Sequence, residues 1–322
     1  MTKTLDKQQK RVAKALAFMP PLHALPPKLA RPTFTSLDRL IGMPKTPLKT
    51  IKDVSITAHD NSGSFSARIY YPNETPSHAK STHAMLYFHG GGGVIGSVKS
   101  HDHLCRHLAL HANVVIISVD YRLAPEYKFP TAVHDAIDAW NWLTTNKESL
   151  NLAHHIIGAG GDSAGAYLAA LLSLTNTTQE LPVQVNTPPQ FQYLLYPMLD
   201  LRGLTDSYLS ANNEMLLTNT LMDYFRKHFL TNVAQSEQAI VSPILASDLK
   251  LLPKTYLLSV EFDPLKDTGI AFAKQLKEQG VAITHEHFDD CMHSFISTYK
   301  LSKRAQLGVK QITQQLKHLC ST

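Results

Sequence analysis

The spacing of apolar and polar positions changes repeatedly along the chain, dividing it into strand-like and helix-like segments. Residues 1 to about 50 carry no strand pattern and read as one or two helices joined by turns rich in proline, at Pro20, Pro21, Pro26 and Pro27. Lys52 to Ala58 and Ser64 to Tyr71 follow as strands, with a polar loop from Pro72 to Thr82. Ala84 to Phe88 is a short apolar run, and four glycines come after His89. Val114 to Val119 is β-branched and nearly continuous, which predicts a strand buried on both faces. Pro130 then opens a helix with Ala132, Ala136, Ala139, Trp140 and Leu143 on one face. His155 to Ala159 reads as a strand that leads through Gly-Gly-Asp-Ser-Ala-Gly into a helix over Ala166 to Leu174. Beyond the strand Phe191 to Tyr196, the stretch from about 200 to 240 breaks the alternation, with a helix over Thr218 to Phe229. The alternation resumes with a strand at Thr255 to Val260, a helix at Lys266 to Gln279, a strand at Ala282 to Phe288 and a C-terminal helix.

Strands alternating with helices predict an α/β fold whose mostly parallel central sheet has helices on both faces. No repeat and no long linker divides residues 51–322, which are expected to form one domain. Residues 1–50 and the insertion at about 200–240 lie outside the alternation and are expected to form a helical cap together.

Composition narrows the picture. At 322 residues, 43% hydrophobic and 18% charged, the chain buries a large core and is not a disordered one. No run of 18 apolar residues occurs, so no membrane-spanning helix is expected. The net charge of +5 is small, and its main cluster, Lys7, Lys10, Arg11 and Lys14, reads as a solvated helix face. No aromatic-interleaved basic stripe points to nucleic acid. Cys105, Cys291 and Cys320 form neither a zinc pattern nor a disulfide framework, and the apolar stretch Ala15 to Met19 is too short for a signal-peptide core. A cytoplasmic protein is expected.

The chemistry lies in the turns. Gly161-Asp162-Ser163-Ala164-Gly165 matches G-x-S-x-G between a strand and a helix, the sharp turn that lifts a nucleophilic serine clear of an α/β-hydrolase sheet. By itself so short a pattern also fits an ordinary glycine-rich turn. His89-Gly90-Gly91-Gly92 follows another strand, and its glycines let backbone N–H groups point at a developing oxyanion, with Ala164 N–H as a further donor. One such donor is worth about 2.7–4 kcal/mol of transition-state stabilisation. A phosphate loop would need a Lys-Ser/Thr pair where Val94-Ile95 stand. A dinucleotide fingerprint finds some support in Asp120 but leaves Ser163 unexplained.

A serine nucleophile then needs an acid and a base in the order Ser, Asp/Glu, His. Asp263 stands just after a strand, with Glu261 and Asp267 as rivals, the latter read as a charge on a first helical turn. His293 follows the last strand in a loop, whereas His285 and His287 share a strand face and are expected to meet solvent. The reading is therefore Ser163, Asp263 and His293, with His293 taking the serine proton and activity falling on the acid side. His101, His103 and His107 near Cys105 lack a further ordered ligand pattern for a metal, and Cys291 reads as a partly buried loop thiol.

At this point the chain resembles the hormone-sensitive-lipase family of α/β-hydrolase carboxylesterases, over roughly residues 80 to 300. The resemblance rests on His89-Gly90-Gly91-Gly92, Tyr121-Arg122-Leu123-Ala124-Pro125-Glu126, Gly161-Asp162-Ser163-Ala164-Gly165 and Asp263-Pro264-Leu265. Within the family it is most similar to bacterial acetyl esterases, notably at Glu261-Phe262-Asp263-Pro264-Leu265. The resemblance implies an α/β-hydrolase fold with a helical cap, a small soluble ester with a short acyl chain as substrate, and no metal or organic cofactor. It also implies Gly90, Gly91 and Ala164 as the oxyanion donors. Two positions depart from the family's pattern. Gly93 stands where an aromatic residue commonly follows the glycines, so a missing ring either widens the pocket wall or loosens the loop. Ser294 stands where glycine often follows the histidine, and its small size lets the loop survive.

Three readings remain on the sequence: a carboxylesterase, a hydrolase-fold binding protein without turnover, and an amidase or lactonase with the same triad. No pronounced apolar lid argues for long-chain fat. The oligomeric state, a homodimer included, is open.

Overall fold

Every side chain of His83–Phe88 is buried, and the two-residue period of a strand sends alternate residues to opposite faces. Ala84, Leu86 and Phe88 enter one apolar core, while Met85 and Tyr87 enter another. A strand clad on both sides needs apolar residues throughout, which is why this one shows no polar alternation. The computed structural model describes residues 3–72, 83–174, 185–212 and 214–321. The polar loop expected at Pro72 to Thr82 lies outside the described residues apart from Pro72.

Among the described residues there are eight strands, β1 (Thr50–Thr57), β2 (Ser64–Tyr71), β3 (His83–Phe88), β4 (Val115–Asp120), β5 (Ile156–Asp162), β6 (Phe191–Leu195), β7 (Lys254–Phe262) and β8 (Ile283–Met292). They form one sheet in the order β1-β2-β4-β3-β5-β6-β7-β8. Antiparallel pairing is confined to β1 with β2 and β2 with β4; the other pairs are parallel. After β3 the chain steps outward to β4 and returns across β3 to place β5 on its other side. The carboxyl ends of β3 and β5 therefore lie at a point where the winding direction reverses, the place where open α/β sheets leave a crevice.

Five of the helices cover the sheet. On one face lie α4 (Thr131–Thr145), α5 (Ala164–Leu174) and α8 (Lys266–Glu278), carrying Trp140, Leu171 and Phe272 into the first core. Across the sheet α3 (Val98–Ala112) and α9 (Lys303–Leu319) bring Leu104, Leu108, Ile312 and Leu316 to the second. The hydrophobic pattern alone predicts no helix over α3, because Lys99, His101, Asp102, His103 and Arg106 interrupt it. A reciprocal cap between Ser97 and Ser100 starts that helix, and Asn113 ends it in the left-handed region at φ 58°. Strand β8 runs four residues past the expected Phe288: Asp289 and Asp290 fall in the register irregularity between the Val260–Phe288 and Phe262–Met292 pairs, and Asp290 is held by Arg304 of α9 at 2.8 Å. Outside the alternation stand α1 (Lys7–Leu16), α2 (Pro27–Ile41), α6 (Asp206–Ser210) and α7 (Asn219–Phe229). No helix among the described residues is long and apolar enough to cross a membrane.

Candidate active site

Ser163 follows β5 at φ 55°, a left-handed conformation that a residue with a side chain adopts only under constraint. The constraint is visible on both sides. Its N–H donates to Leu195 O at 2.9 Å, and its carbonyl accepts from Tyr167 N at 3.1 Å and from Met198 N at 3.1 Å. A Cβ on Gly161 would meet Phe88 O at 2.5 Å, and one on Gly165 would run into the same carbonyl. The two flanking glycines thus let the start of α5 lie against the end of β3.

The next two strands supply Asp263 and His293. A register irregularity between Val260 and Phe262 brings Phe262 opposite Met292, so the residues that leave β7 and β8 emerge side by side. His293 N–H donates to Phe262 O at 3.1 Å. Its Nδ1 lies 2.7 Å from Asp263 Oδ2 and its Nε2 lies 3.0 Å from Ser163 Oγ, all three side chains being buried. Asp263 Oδ1 accepts from Leu265 N–H at 2.8 Å, which fixes the carboxylate plane. The ring of Tyr196 packs 4.7 Å from that of His293.

The rivals go elsewhere. Glu261 bonds to Lys3, Lys266 and His287, and these partners hold its carboxyl down to about 2 against the upward push of burial. Asp267, on the first turn of α8, accepts from Ser207 N–H at 2.7 Å. His285 and His287 do not simply face water: His285 Nε2 and His287 Nδ1 each lie 2.8 Å from Ser259 Oγ. Cys291 sits inside β8 and not in a loop, fully buried against Gln9 Nε2 at 3.4 Å. Of the α3 histidines, His103 Nδ1 donates to Met43 O at 2.6 Å, and the His107 ring lies 4.3 Å from His111. Among the described residues no cluster of three or more His, Cys, Asp or Glu is arranged to hold a metal.

The glycine loop after β3 turns through positive φ at Gly91 (118°), Gly92 (63°) and Gly93 (70°). Gly90 was expected to donate to an oxyanion, but its N–H donates to Asp162 Oδ1 at 3.0 Å. That buried carboxylate also accepts from Tyr87 O–H at 2.7 Å. The N–H groups of Gly91, Gly92 and Ala164 have no acceptor among the described residues. His89 lies under the loop, stacked on Tyr121 at 4.3 Å, with Nδ1–H donating to Gly90 O at 2.8 Å. Burial, helped by a neighbouring His101, lowers its pKa to about 4.

Gly93 is not part of the pocket wall. A Cβ there would meet the Phe229 ring at 2.7 Å, so a ring from α7 stands against the position whose aromatic side chain is missing. A cavity of about 490 Å³ opens above Ser163 and His293. Its walls include Leu16, Phe34 and Ile41 from the N-terminal segment and Leu217, Leu221 and Phe225 from the 200–240 stretch. Of its polar corner, with Asp38, His101 and Asp162, only Asp162 belongs to a motif in the sequence: His101 is one histidine among several in α3.

Comparison with known proteins places the chain among α/β hydrolases. A family model described as the alpha/beta hydrolase fold matches residues 85–297. An ethyl acetate hydrolase of Pseudomonas putida is 34% identical over 298 residues, covering 92% of this chain and 91% of that protein. An arylesterase of Saccharolobus solfataricus is 30% identical over 276 residues, covering 85% and 86%. A hyperthermophilic esterase from the archaeon Pyrobaculum calidifontis superposes with a TM-score of 0.88 at 31% identity, covering 99% of this chain and all of that one.

Proposed function

This chain belongs to the α/β-hydrolase family, in its hormone-sensitive-lipase-like branch, and from that membership we propose that it is a serine carboxylesterase acting on esters of short acyl chains. The observation that carries the reading is the continuous chain from Asp263 to His293 at 2.7 Å and on to Ser163 at 3.0 Å. Ser163 Oγ attacks the ester carbonyl while His293 Nε2 takes its proton, and Asp263 holds the Nδ1–H tautomer and stabilises the imidazolium. The N–H groups of Gly91, Gly92 and Ala164 receive the oxyanion, with Gly90 anchoring the loop through Asp162. His293 then passes the proton to the departing alcohol, and a water released of its proton by the same histidine hydrolyses the acyl-enzyme.

Residues 1–50 and the 200–240 stretch act as the cap, since both contribute walls to the cavity. The acyl preference is supported by the resemblance to acetyl esterases and by the relative named for ethyl acetate. A volume of about 490 Å³ leaves room beside a short acyl group for an aryl or other bulky alcohol. Three unpaired cysteines suit a reducing compartment, and we place the protein in the cytoplasm.

Hydrolysis of p-nitrophenyl esters across acyl lengths tests the proposal. Acetate and butyrate should turn over fastest, and Ser163→Ala should lower kcat by at least about 10⁴-fold. Folded protein inactive at every length would overturn the esterase reading, and a maximum at long chains would overturn the acyl assignment.

A further inference from the structure

Beneath the oxyanion loop lies a group of charged side chains, of which the proposed reaction uses only Asp162, as the anchor of Gly90. Asp162 Oδ1 accepts from Tyr87 O–H at 2.7 Å and Gly90 N–H at 3.0 Å, while Oδ2 faces His101 Nε2 at 3.4 Å. Both residues are buried. A carboxylate taken out of water in this way needs a compensating charge.

Hydrogen-bond accounting on the other edge of His101 supplies one. Its Nδ1 lies 2.9 Å from Ser100 Oγ, whose single hydrogen donates to Ser97 O at 2.9 Å. The hydroxyl, with its hydrogen assigned to that carbonyl, accepts from the imidazole, which puts a hydrogen on Nδ1. With Nε2 turned to a carboxylate, both ring nitrogens are donors, which is the imidazolium form.

The surroundings agree. From α2, Asp38 contributes a second negative charge, and the Phe34 ring lies 6.4 Å away. From β5 comes Asp162, and His103 on the same helix shares the field of Asp38. From the glycine loop comes His89, its ring 5.5 Å away and its pKa lowered to about 4, so it adds no competing charge near neutrality. Burial pushes the His101 pKa down, but Asp162 and Asp38 outweigh it and the net direction is upward. In return His101 holds Asp162 below the ordinary carboxylate range against the push of burial.

We propose that His101 is a positioning residue of the esterase site: as an imidazolium it keeps Asp162 anionic and thereby fixes Gly90, so that the following N–H groups stay aimed at the oxyanion. Its kinetic consequence rests on the esterase reading. A group whose pKa is raised on folding keeps its effect below its titration and loses it as pH rises through the folded value. Activity should therefore fall on the alkaline side, in kcat with little change in KM, because the loop meets the substrate chiefly in the transition state.

The experiment joins kinetics with nitrogen-15 NMR of the histidines in the whole protein. At pH 8 the His101 signals, assigned by their loss in His101→Gln, should show both ring nitrogens protonated. His101→Gln keeps a donor without a titrating charge. It should lower kcat by about 10- to 100-fold, the scale of a small misplacement of catalytic groups, and abolish the alkaline limb. Asp38→Asn removes one of the two flanking anions and should move that limb to lower pH; Asp38 lines the cavity, so the position of the limb is read and not the rate. A neutral His101 signal at pH 8, or the wild-type limb unmoved in both variants, overturns the proposal. Folded protein without turnover but with a doubly protonated His101 sinks the esterase reading and its kinetic consequence, while the ion pair stands.

Discussion

Two serines at the site hold left-handed backbone for different reasons. Ser163 at φ 55° belongs to the turn that presents its hydroxyl to His293, and its neighbours pin it through three backbone hydrogen bonds. Ser294 at φ 57° follows the histidine, and its side chain makes no cap hydrogen bond there. The histidine loop accommodates this small side chain, but Ser294 holds a conformation that glycine takes without steric cost. Ser294→Gly should therefore stabilise the protein by about 1 kcal/mol, the left-handed penalty less the extra entropy that glycine gives the unfolded chain. Urea denaturation would read this as a higher midpoint at unchanged slope; a lower midpoint would mean that the hydroxyl contributes more than the backbone costs.

At the scale of elements, α7 supports the glycine loop from outside. Phe225 lies where a Cβ on Gly92 would fall and Phe229 where one on Gly93 would, so the missing aromatic ring neither widens the pocket nor leaves a gap. Phe229 also packs edge-on against Phe129 at 6.0 Å and Tyr167 at 6.2 Å. Emptying that space in Phe229→Ala should cost about 3–5 kcal/mol of stability and lower kcat, both measurable on one preparation; a loss under 1 kcal/mol would show that the loop stands without this ring. Helix α2 reaches the same loop through Arg31, whose guanidinium donates to Val94 O and Ala124 O, each at 2.9 Å, and pairs with Glu126. Glu126 belongs to the Tyr121–Glu126 motif, so part of that motif fastens the N-terminal segment to the loop.

For the whole molecule, histidines withdrawn from water set a limit on acid stability, His89 being fully buried and His107 half-buried. Burial, with help from His101 and His111 respectively, brings both His89 and His107 to about 4. Their folded values lie below the ordinary imidazole value, so the unfolded chain binds protons that the folded one refuses. Stability is complete above about pH 6.5, declines as pH falls from there toward about 4, and loses no more from these groups below that. Urea midpoints across this range should fall, and His107→Gln should make the fall shallower. An unchanged slope in that variant would remove His107 from the account.

The alternation of strands and helices and the order of the chemical groups can be read from the residues alone. Those features are local: a strand's period is two residues, a glycine turn spans five, and neither needs the rest of the chain to be legible. Ser163, Asp263 and His293, which the fold brings within hydrogen-bond reach of one another, could each be singled out because each stands at a strand end in a fixed chain order. Helix α3 was not, since polar residues facing a buried cluster break the apolar pattern that announces a helix. Tertiary structure alone decided that Gly90 gives its N–H to Asp162, that Phe229 fills the space beside Gly93, and that His101 lies between two carboxylates. Each of these depends on which donor, acceptor or ring volume arrives from a distant stretch of chain. A hydrogen can be donated to only one well-aligned acceptor and a volume filled by only one ring, and that allocation is settled in space.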